Sequence, residues 1–529
     1  MNEKGAKMVE VLTAAQMKAI EAAAMASGEV TGLELMERAG AGVVDAIFAA
    51  WPQMQRDPAR AVVLCGPGNN GGDGYVVARL LQGFGWQVQV AALSAPVTAD
   101  ARAMRAAWGG AVIGVSDLDW PDFQASALVV DAMFGIGLVR DVAAGVWGLL
   151  EMAKTSGCKL VAVDILSGLC ADSGRVRAEG GYLDWPADLT VTFERPKPGH
   201  FLDMGGELGG ALVVVPLRLE RQIAALLRAD QGEVVDLASV SPEALRKGGG
   251  HKFAHGHALI VSGDQGQAGA ARLCARGALR IGAGLVTVAS PPDAMAENAA
   301  RLDAVMLRCV ADAAAFAGQL ADARITALCL GPGMGLDARA AELVRVALDT
   351  SRLRVRPGAA QGLRGVLDAD ALTLIARDAG LFALLHEGCV LTPHAGEFAR
   401  LFPDIAEKMA AVAVVGPAYS KVDATREAAK RAGCVVLFKG ADTVIAAPDG
   451  RCSIHAAVHE RAAPWLATAG SGDVLAGFIT GLLARGFAPL AAAEAAAWLH
   501  VECARSFGPG LIAEDLAEEL PKVLRRIGV

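Results

Sequence analysis

Short apolar runs recur along this chain, each closed by a glycine-rich or polar turn and followed by a helical stretch, and this pattern constrains the fold most. In the first half they are AVVLC (61–65), VQVAAL (88–93), ALVV (127–130), KLVAVDI (159–165), DLTVTF (188–193) and ALVVVPL (211–217). Such runs suit strands covered on both faces, and their alternation with helices predicts a doubly wound α/β sheet. Ahead of them, Leu12, Met17 and Ile20, then Leu33, Leu35, Met36, Val43 and Val44, recur at helical spacing. The rhythm breaks over 218–250, a more polar stretch that ends in consecutive glycines. It restarts with HALIVSG (257–263), GLVTVAS (284–290), ALCLGPG (327–333), GVLDAD (365–370), CVLTPH (389–394) and VVLFKG (435–440), and a long helical tail, 472–507, closes it. Two different α/β domains are expected, 1–228 and 229–529.

A chain of 529 residues exceeds what one hydrophobic core supports. No uninterrupted apolar stretch reaches about 18 residues, and the N-terminus lacks the apolar core of a secretion signal, so a cytoplasmic location without membrane contact is the expectation. Ten cysteines without a Cys-x-x-Cys pair read as reduced, packed thiols. Lys plus Arg, 49, against Asp plus Glu, 57, gives a net charge of −8, which offers no general attraction for nucleic acid. Bound phosphate must be held locally, by backbone N–H groups and single cations.

The densest motif is GPGNNGGDG (66–74), directly after the first strand. It contains Gly-x-Gly-x-x-Gly, but the next strand ends in AALSAP with no acid for a ribose, which disfavours an ordinary dinucleotide site. No Gly-Lys-Ser/Thr follows, which excludes a P-loop. Asn70, Asp131 and Ser167 are oxygen donors at strand ends, suited to a hard cation of low charge. Asp131 and Asp164 also fit the plainer role of helix caps.

In the second half, ATAGSGD (467–473) opens an apolar helix. Its glycines would expose N–H groups at a helix N-terminus, and Asp473 in the first turn can accept a proton from a hydroxyl that attacks phosphorus. Ser471 and Asp473 could simply cap the helix, but capping does not explain the glycines. Lys439, Gly440, Ala441, Asp442 and Thr443 follow a strand and suit a nucleotide phosphate or adenosine edge. GPGMG (331–335) is another strand-to-helix turn. His251, His255 and His257 invite a metal reading, discounted for want of nearby carboxylate or thiolate ligands.

Taken in order, GPGNNGGDG, DAMFGIGL (131–138), VDILSGLCADSG (163–174) and TFERPKPG (192–199) resemble the NAD(P)H-hydrate epimerase domain over roughly 10–220. HKFAHGHALIVSG, QAGAARLCARGALRIGAG, GPGMG, VLDADAL, LTPHAGE, FKGADT and ATAGSGDVLAG resemble the ribokinase-like, ADP-dependent NAD(P)H-hydrate dehydratases over roughly 235–525. The resemblance implies an α/β Rossmann-like epimerase domain joined to a ribokinase-like αβα domain. Together they would repair hydrated NAD(P)H, by epimerisation of its R and S forms and ADP-dependent dehydration of the S form.

The same resemblance implies the site residues. Asn69, Asn70, Gly71, Gly72, Asp73, Gly135, Ile136, Gly137, Leu138, Val139, Arg140, Asp141 and Asp164 would contact the hydrate in the epimerase, with Asp164 as acid/base. Asn70, Asp131 and Ser167 would hold K+. In the dehydratase, Ala270, Gly333, Gly335, His394 and Asp473 would contact the hydrate, with Asp473 as base. Lys439, Gly440, Ala441, Asp442, Thr443 and Gly472 would contact ADP, a co-substrate carrying Mg2+. NAD(P)H hydrates and ADP are the expected partners, and a homo-oligomer the expected assembly. Three departures stand out: Leu166 where the family has Pro, Ala469 where it has Gly before GSGD, and HAAVHERAAPW (455–465) where it has an Asn- and Gly-rich approach to that turn. The alternative reading is a ribokinase-like small-molecule kinase with a non-catalytic N-terminal binding domain.

Overall fold

The computed structural model describes residues 9–181, 183–229, 233–354 and 362–529. Capping boxes at Thr13 with Gln16 and Thr31 with Glu34 start two helices, Ala14–Ala26 and Gly32–Ala50. Before them lies a short strand, β1 (Glu10–Val11). The first sheet contains β2 (Arg60–Cys65), β3 (Gln87–Ala92), β4 (Val112–Gly114), β5 (Leu128–Ala132), β6 (Lys159–Val163), β7 (Leu189–Phe193) and β8 (Ala211–Val215). Its order is 4-3-2-5-6-7-8, with every pair parallel. Alternate residues feed separate cores: Ala61, Val63 and Cys65 one, Val62 and Leu64 the other. Both faces are covered by helices, as the continuous apolar runs require.

The second sheet adds β9 (Val235–Leu237), β10 (His257–Val261), β11 (Leu285–Ser290), β12 (Met306–Cys309), β13 (Ile325–Leu330), β14 (Arg364–Leu367), β15 (Cys389–Leu391), β16 (Val435–Phe438), β17 (Asp442–Ala446) and β18 (Cys452–Ala456). Its order is β1-β9-β18-β17-β16-β15-β14-β13-β10-β11-β12, so the first strand of the chain closes the edge of the second sheet. Glu10 pairs with Asp236 and Val11 with Val235. Strand order reverses between β2 and β5 in one sheet and between β10 and β13 in the other. At such points the diverging loops open a crevice beyond the carboxyl ends of the strands.

All the apolar runs named above form strands. The short strands β1, β4, β9 and β12 and the β17–β18 hairpin escaped the sequence reading. The hairpin had a local signal, Pro448-Asp449-Gly450 between apolar runs, with Gly450 at φ 95°. The expected helix 472–507 is two, Ser471–Ala484 and Pro489–Phe507, because Gly486 adopts φ 97° and Pro489 starts a new first turn. A last helix, Ala513–Arg526, follows. Among the described residues no helix is long and apolar enough to cross a membrane.

Helices Gly269–Arg280 and Ser471–Ala484 pack almost backbone to backbone, since a Cβ at Gly477 would lie 2.2 Å from the Cys274 carbonyl oxygen. Gly477→Ala is therefore expected to destabilise by about 1–3 kcal/mol, the range for overpacking. Gly83→Ala, with nothing within 4 Å, should be neutral or slightly stabilising. Urea unfolding of the two variants checks the contrast.

Candidate active sites

The glycine-rich segment after β2 is not a loop. Helix Asn69–Gly83 begins inside it, with Gly68 as N-cap. Gly71 and Gly74 serve packing: a Cβ would lie 1.9 Å from the Gly66 oxygen at the first and 2.8 Å from the Ala132 Cβ at the second. The close approach presses the helix start onto the ends of β2 and β5, which carries Asn70 and Asp73 to the strand-order reversal.

Asp164, just after β6, is the centre of this site. Its backbone sits at φ 68°, held by its N–H donating to the Val191 oxygen at 2.7 Å and its oxygen meeting His200 Nε2 at 2.9 Å. The carboxylate accepts from Lys197 Nζ at 2.9 Å, Thr192 Oγ1 at 2.9 Å and the Ile136 N–H at 3.2 Å. Burial works to raise this carboxyl, but Lys197, aided by His200 and Thr192, outweighs it and holds Asp164 below the usual value. Asp73 is pushed well above its ordinary value by burial, then by the charges of Asp164 and Glu21. Glu21, from the first helix, rises to about 7 through burial and Asp164, against Lys197 and Lys18. One ionised carboxylate beside two protonatable ones is an acid/base set.

Lys197 and Glu21 were absent from the sequence-derived residues. Lys197 lay inside the TFERPKPG motif and is 1 % exposed, with donors to Asp164, Thr192 Oγ1 at 2.7 Å and the Phe193 oxygen at 3.2 Å. Glu21 reaches the site only through tertiary packing and left no local signal.

Asp131 and Ser167 meet at the ends of β5 and β6. Ser167 donates its N–H to Asp131 Oδ2 at 2.8 Å and its hydroxyl to Oδ1 at 2.7 Å. Burial still pushes Asp131 up to about 6, despite these bonds and one from the Met133 N–H. Asn70 stands near, with a buried Nδ2 that has no hydrogen-bond partner. A Cβ at Gly135 would lie 2.9 Å from Asn70 Oδ1 and 3.1 Å from Asp164 Oδ2. The Asp131 carboxylate, whose burial is not fully compensated, the Ser167 hydroxyl and the Asn70 amide oxygen are ligands of the kind a monovalent cation takes, whereas the unpartnered Asn70 Nδ2 is a hydrogen-bond donor and adds nothing for one.

Of the Gly135–Asp141 segment, Gly135 and Ile136 lie against Asn70 and Asp164. Gly137 lies near Lys18, whose Nζ would be 3.8 Å from a Cβ there. Asp141 pairs with the buried Arg177 at 2.6 Å, and Arg177 also donates to the Gly416 oxygen at 2.6 Å. Gly416 in turn donates its N–H to the Val139 oxygen at 2.9 Å, so a segment of the second half holds this loop. Leu138 and Arg140 share the same turn.

In the second half Asp473 sits in the first turn of helix Ser471–Ala484, after Gly470 at φ 86°. Burial and the Asp368 charge raise it to about 6, against Lys439. Lys439 donates to Asp368 Oδ1 at 2.8 Å and lies 3.8 Å from Glu397 Oε2. A Cβ at Gly472 would come within 3.6 Å of its Nζ, so Lys439 belongs beside the GSGD turn. Burial opposes its charge, yet Asp368, Glu397 and Asp473 prevail and raise it above its ordinary value. His500, held neutral by burial at about 4, binds the Ser471 oxygen at 2.8 Å and anchors that turn.

Gly333 backs onto Ala270, and Gly335 donates its N–H to Asp370 Oδ2 at 2.9 Å. His394 caps helix Ala395–Leu401: Nδ1 accepts from the Gly396 N–H at 3.0 Å, and the side chain is 56 % exposed. Gly440 and Ala441 form the tight turn from β16 to β17. Asp442 is bound by Lys421 at 2.6 Å and by the Asp203 N–H at 3.1 Å, and Thr443 Oγ1 donates to the Gly440 oxygen. His257 is a core residue bonded to Thr287 at 2.8 Å, and no metal-binding cluster of His, Cys, Asp and Glu occurs among the described residues.

Two of the three departures leave their local packing and backbone unstrained. Leu166 is fully buried among Met133, Ile165 and Leu169, so it fills a core position. Ala469 is exposed and has no left-handed backbone, so its Cβ adds no strain.

Two family models match: one described as YjeF-related protein N-terminus, over residues 32–199, and one described as NAD(P)H-hydrate dehydratase, over residues 258–525. The bifunctional NAD(P)H-hydrate repair enzyme Nnr of Moorella thermoacetica is 35% identical, covering 98% of this chain and 97% of its own. That of Gloeobacter violaceus is 36% identical, covering 95% and 96%. A solved ADP/ATP-dependent NAD(P)H-hydrate dehydratase from Bacillus subtilis, co-crystallised with ATP and Mg2+, is 25% identical over 54% of this chain and 97% of its own, at a TM-score of 0.42.

Because Asp473 is raised to about 6 in the folded state, its ionised form is disfavoured by folding. The penalty is complete above pH 6 and vanishes below about 4, where folded and unfolded chains are both protonated. Asp473→Asn is expected to stabilise the second half by about 1 kcal/mol at pH 8, after discounting partial exposure and the lost helix N-terminal charge. The gain should disappear by about pH 4, which urea midpoints at both pH values measure.

Proposed function

From the premise that the chain belongs to the family of bifunctional NAD(P)H-hydrate repair enzymes, we propose how its two sites divide the work. The observation that carries this reading is the match of both halves, in one chain, to relatives aligned over nearly their full length. The N-terminal half epimerises the R and S hydrates. Inverting the hydroxyl-bearing carbon, C6 of the ring, requires a proton moved on or off its oxygen or the ring. Asp164, kept ionised by Lys197, accepts that proton; Asp73, kept protonated by burial and its acidic neighbours, is placed to donate one. Asn69, Gly72 and the Gly135–Asp141 loop shape the pocket. Asn70, Asp131 and Ser167 would hold potassium, which supplies a fixed positive charge that favours ionised Asp131 when bound.

The C-terminal half dehydrates the S hydrate with ADP. Asp473 removes the proton from the C6 hydroxyl, whose oxygen attacks the terminal phosphorus of ADP, and AMP leaves. Phosphate then departs from C6 as a proton is lost from C5, which restores the ring double bond of NAD(P)H. N–H groups of the Gly470–Asp473 turn and Lys439 meet the charge on the transferring phosphoryl. Ala270, Gly333, Gly335 and His394 line the hydrate side; Gly440 to Thr443 and Gly472 line the nucleotide side. Magnesium travels with the nucleotide phosphates as part of the co-substrate.

Mixed R and S hydrate, ADP and Mg2+ should give complete recovery of NADH absorbance, with one AMP and one phosphate per ring restored. Asp473→Asn should lower AMP release by roughly 10²–10⁴ while epimerisation persists. Asp164→Asn should confine rapid recovery to the S fraction. The dehydratase rate should fall as pH drops through about 6, since Asp473 must be ionised to act as base. A phosphorylated stable product in place of free phosphate would instead identify a kinase.

A further inference from the structure

His459 follows β18 on the loop that leads to the Gly470–Asp473 turn, and its ring crosses into the other half. Nδ1 lies 2.8 Å from the Gly210 carbonyl oxygen and Nε2 lies 2.8 Å from the His200 carbonyl oxygen. Both oxygens only accept, so both bonds form together only when both ring nitrogens carry protons. The residue adopts φ 51° to make this reach, a left-handed conformation that costs energy outside glycine.

The receiving surface is shaped for it. A Cβ at Gly206 would lie 2.7 Å from Val458 Cγ1, so a larger residue there would crowd the approach, and Gly209 borders the imidazole, a Cβ there lying 3.6 Å from His459 Cε1. Phe201 meets the imidazole edge-on, with centroids 5.9 Å apart. On its own side the loop is anchored: Arg461 pairs with Glu502 at 3.0 Å, and the Glu460 oxygen accepts from Arg505 at 2.7 Å.

From His200 the chain of contacts continues to Asp164. His200 Nδ1 accepts from the Lys197 N–H at 2.9 Å, which leaves Nε2–H to donate to the Asp164 oxygen at 2.9 Å. Burial lowers His200 to about 4, consistent with a neutral ring carrying that single proton. Asp164 holds a left-handed backbone that only its surroundings can maintain.

We propose that His459, supplied by the dehydratase half, is a positioning residue of the epimerase site. It fixes the His200 carbonyl, hence the imidazole that clamps the strained Asp164 backbone, hence the aim of the Asp164 carboxylate. The inference rests on Asp164 being the epimerase acid/base.

The test compares two isosteric variants of the full-length chain. His459→Gln keeps an amide donor for the His200 oxygen, whereas His459→Glu presents only acceptors to it. His459→Gly removes the side chain and relaxes the left-handed backbone, which separates melting temperature from positioning. Epimerisation is followed with pure R hydrate and an excess of a stand-alone S-specific dehydratase. The Glu and Gly variants should lose tenfold or more in kcat with KM within twofold of the parent, and the Gln variant should stay within threefold in kcat. Equal kcat in the Gln and Glu variants overturns the proposal, as does a loss expressed in KM alone. Should His459→Gly not fold, the Gln and Glu pair decides. An unmodified chain that fails to epimerise counts against the proposed function rather than against His459.

Discussion

A lysine ammonium beside strand-end carboxylates, buried in the first half and half-buried in the second, organises each half, and the chemistry of both sites depends on how many claims it must meet. Removing a charge from water is costly unless partners replace the lost solvent. Lys197 is almost fully enclosed and gives its donors to Asp164, Thr192 and the Phe193 oxygen. Asp164 is thereby held below the usual carboxylate value, while Asp73 and Glu21 are raised above it. Lys439 is divided among Asp368, Glu397 and, more weakly, Asp473. Asp473 therefore keeps a raised value of about 6, near where a general base works best at neutral pH.

The halves are not beads on a string. Val11 from the first strand and Leu202 from the first half belong to the main core of the second. Around that shared core lie the Asp203 bond to Asp442, the Gly416 bonds to Val139 and Arg177, and the His459 bridge. Several of these touch segments that also line a site. Asp442 illustrates the consequence: expected only as a nucleotide contact, it also fastens the KGADT turn to the other half through the Asp203 N–H.

The strand runs of both sheets were legible because parallel strands covered on two faces must be apolar throughout, which leaves an unmistakable local record. Edge strands such as Met306–Cys309, half exposed and short, carry no such record. The helix start at Asn69 was illegible for a related reason: glycine is a poor helix former, and only the close backbone contacts of Gly71 and Gly74 show why this helix tolerates them. Leu166 packs in the core and Ala469 carries no left-handed backbone, so neither departure strains its own surroundings. Glu21 is the converse case, ordinary in its own helix and perturbed only by what is folded against it.

By itself the sequence determined the two α/β units, the strand-end loops and the residue types able to do the chemistry, since these depend on periodicity and on short contiguous motifs. Only the tertiary structure decided which carboxylates are ionised, that Lys197 and Lys439 govern them, and that His459 reaches behind Asp164 from the far half. Those properties arise from desolvation and from charges brought within a few ångströms across long sequence separations. Neither exists until the chain has folded.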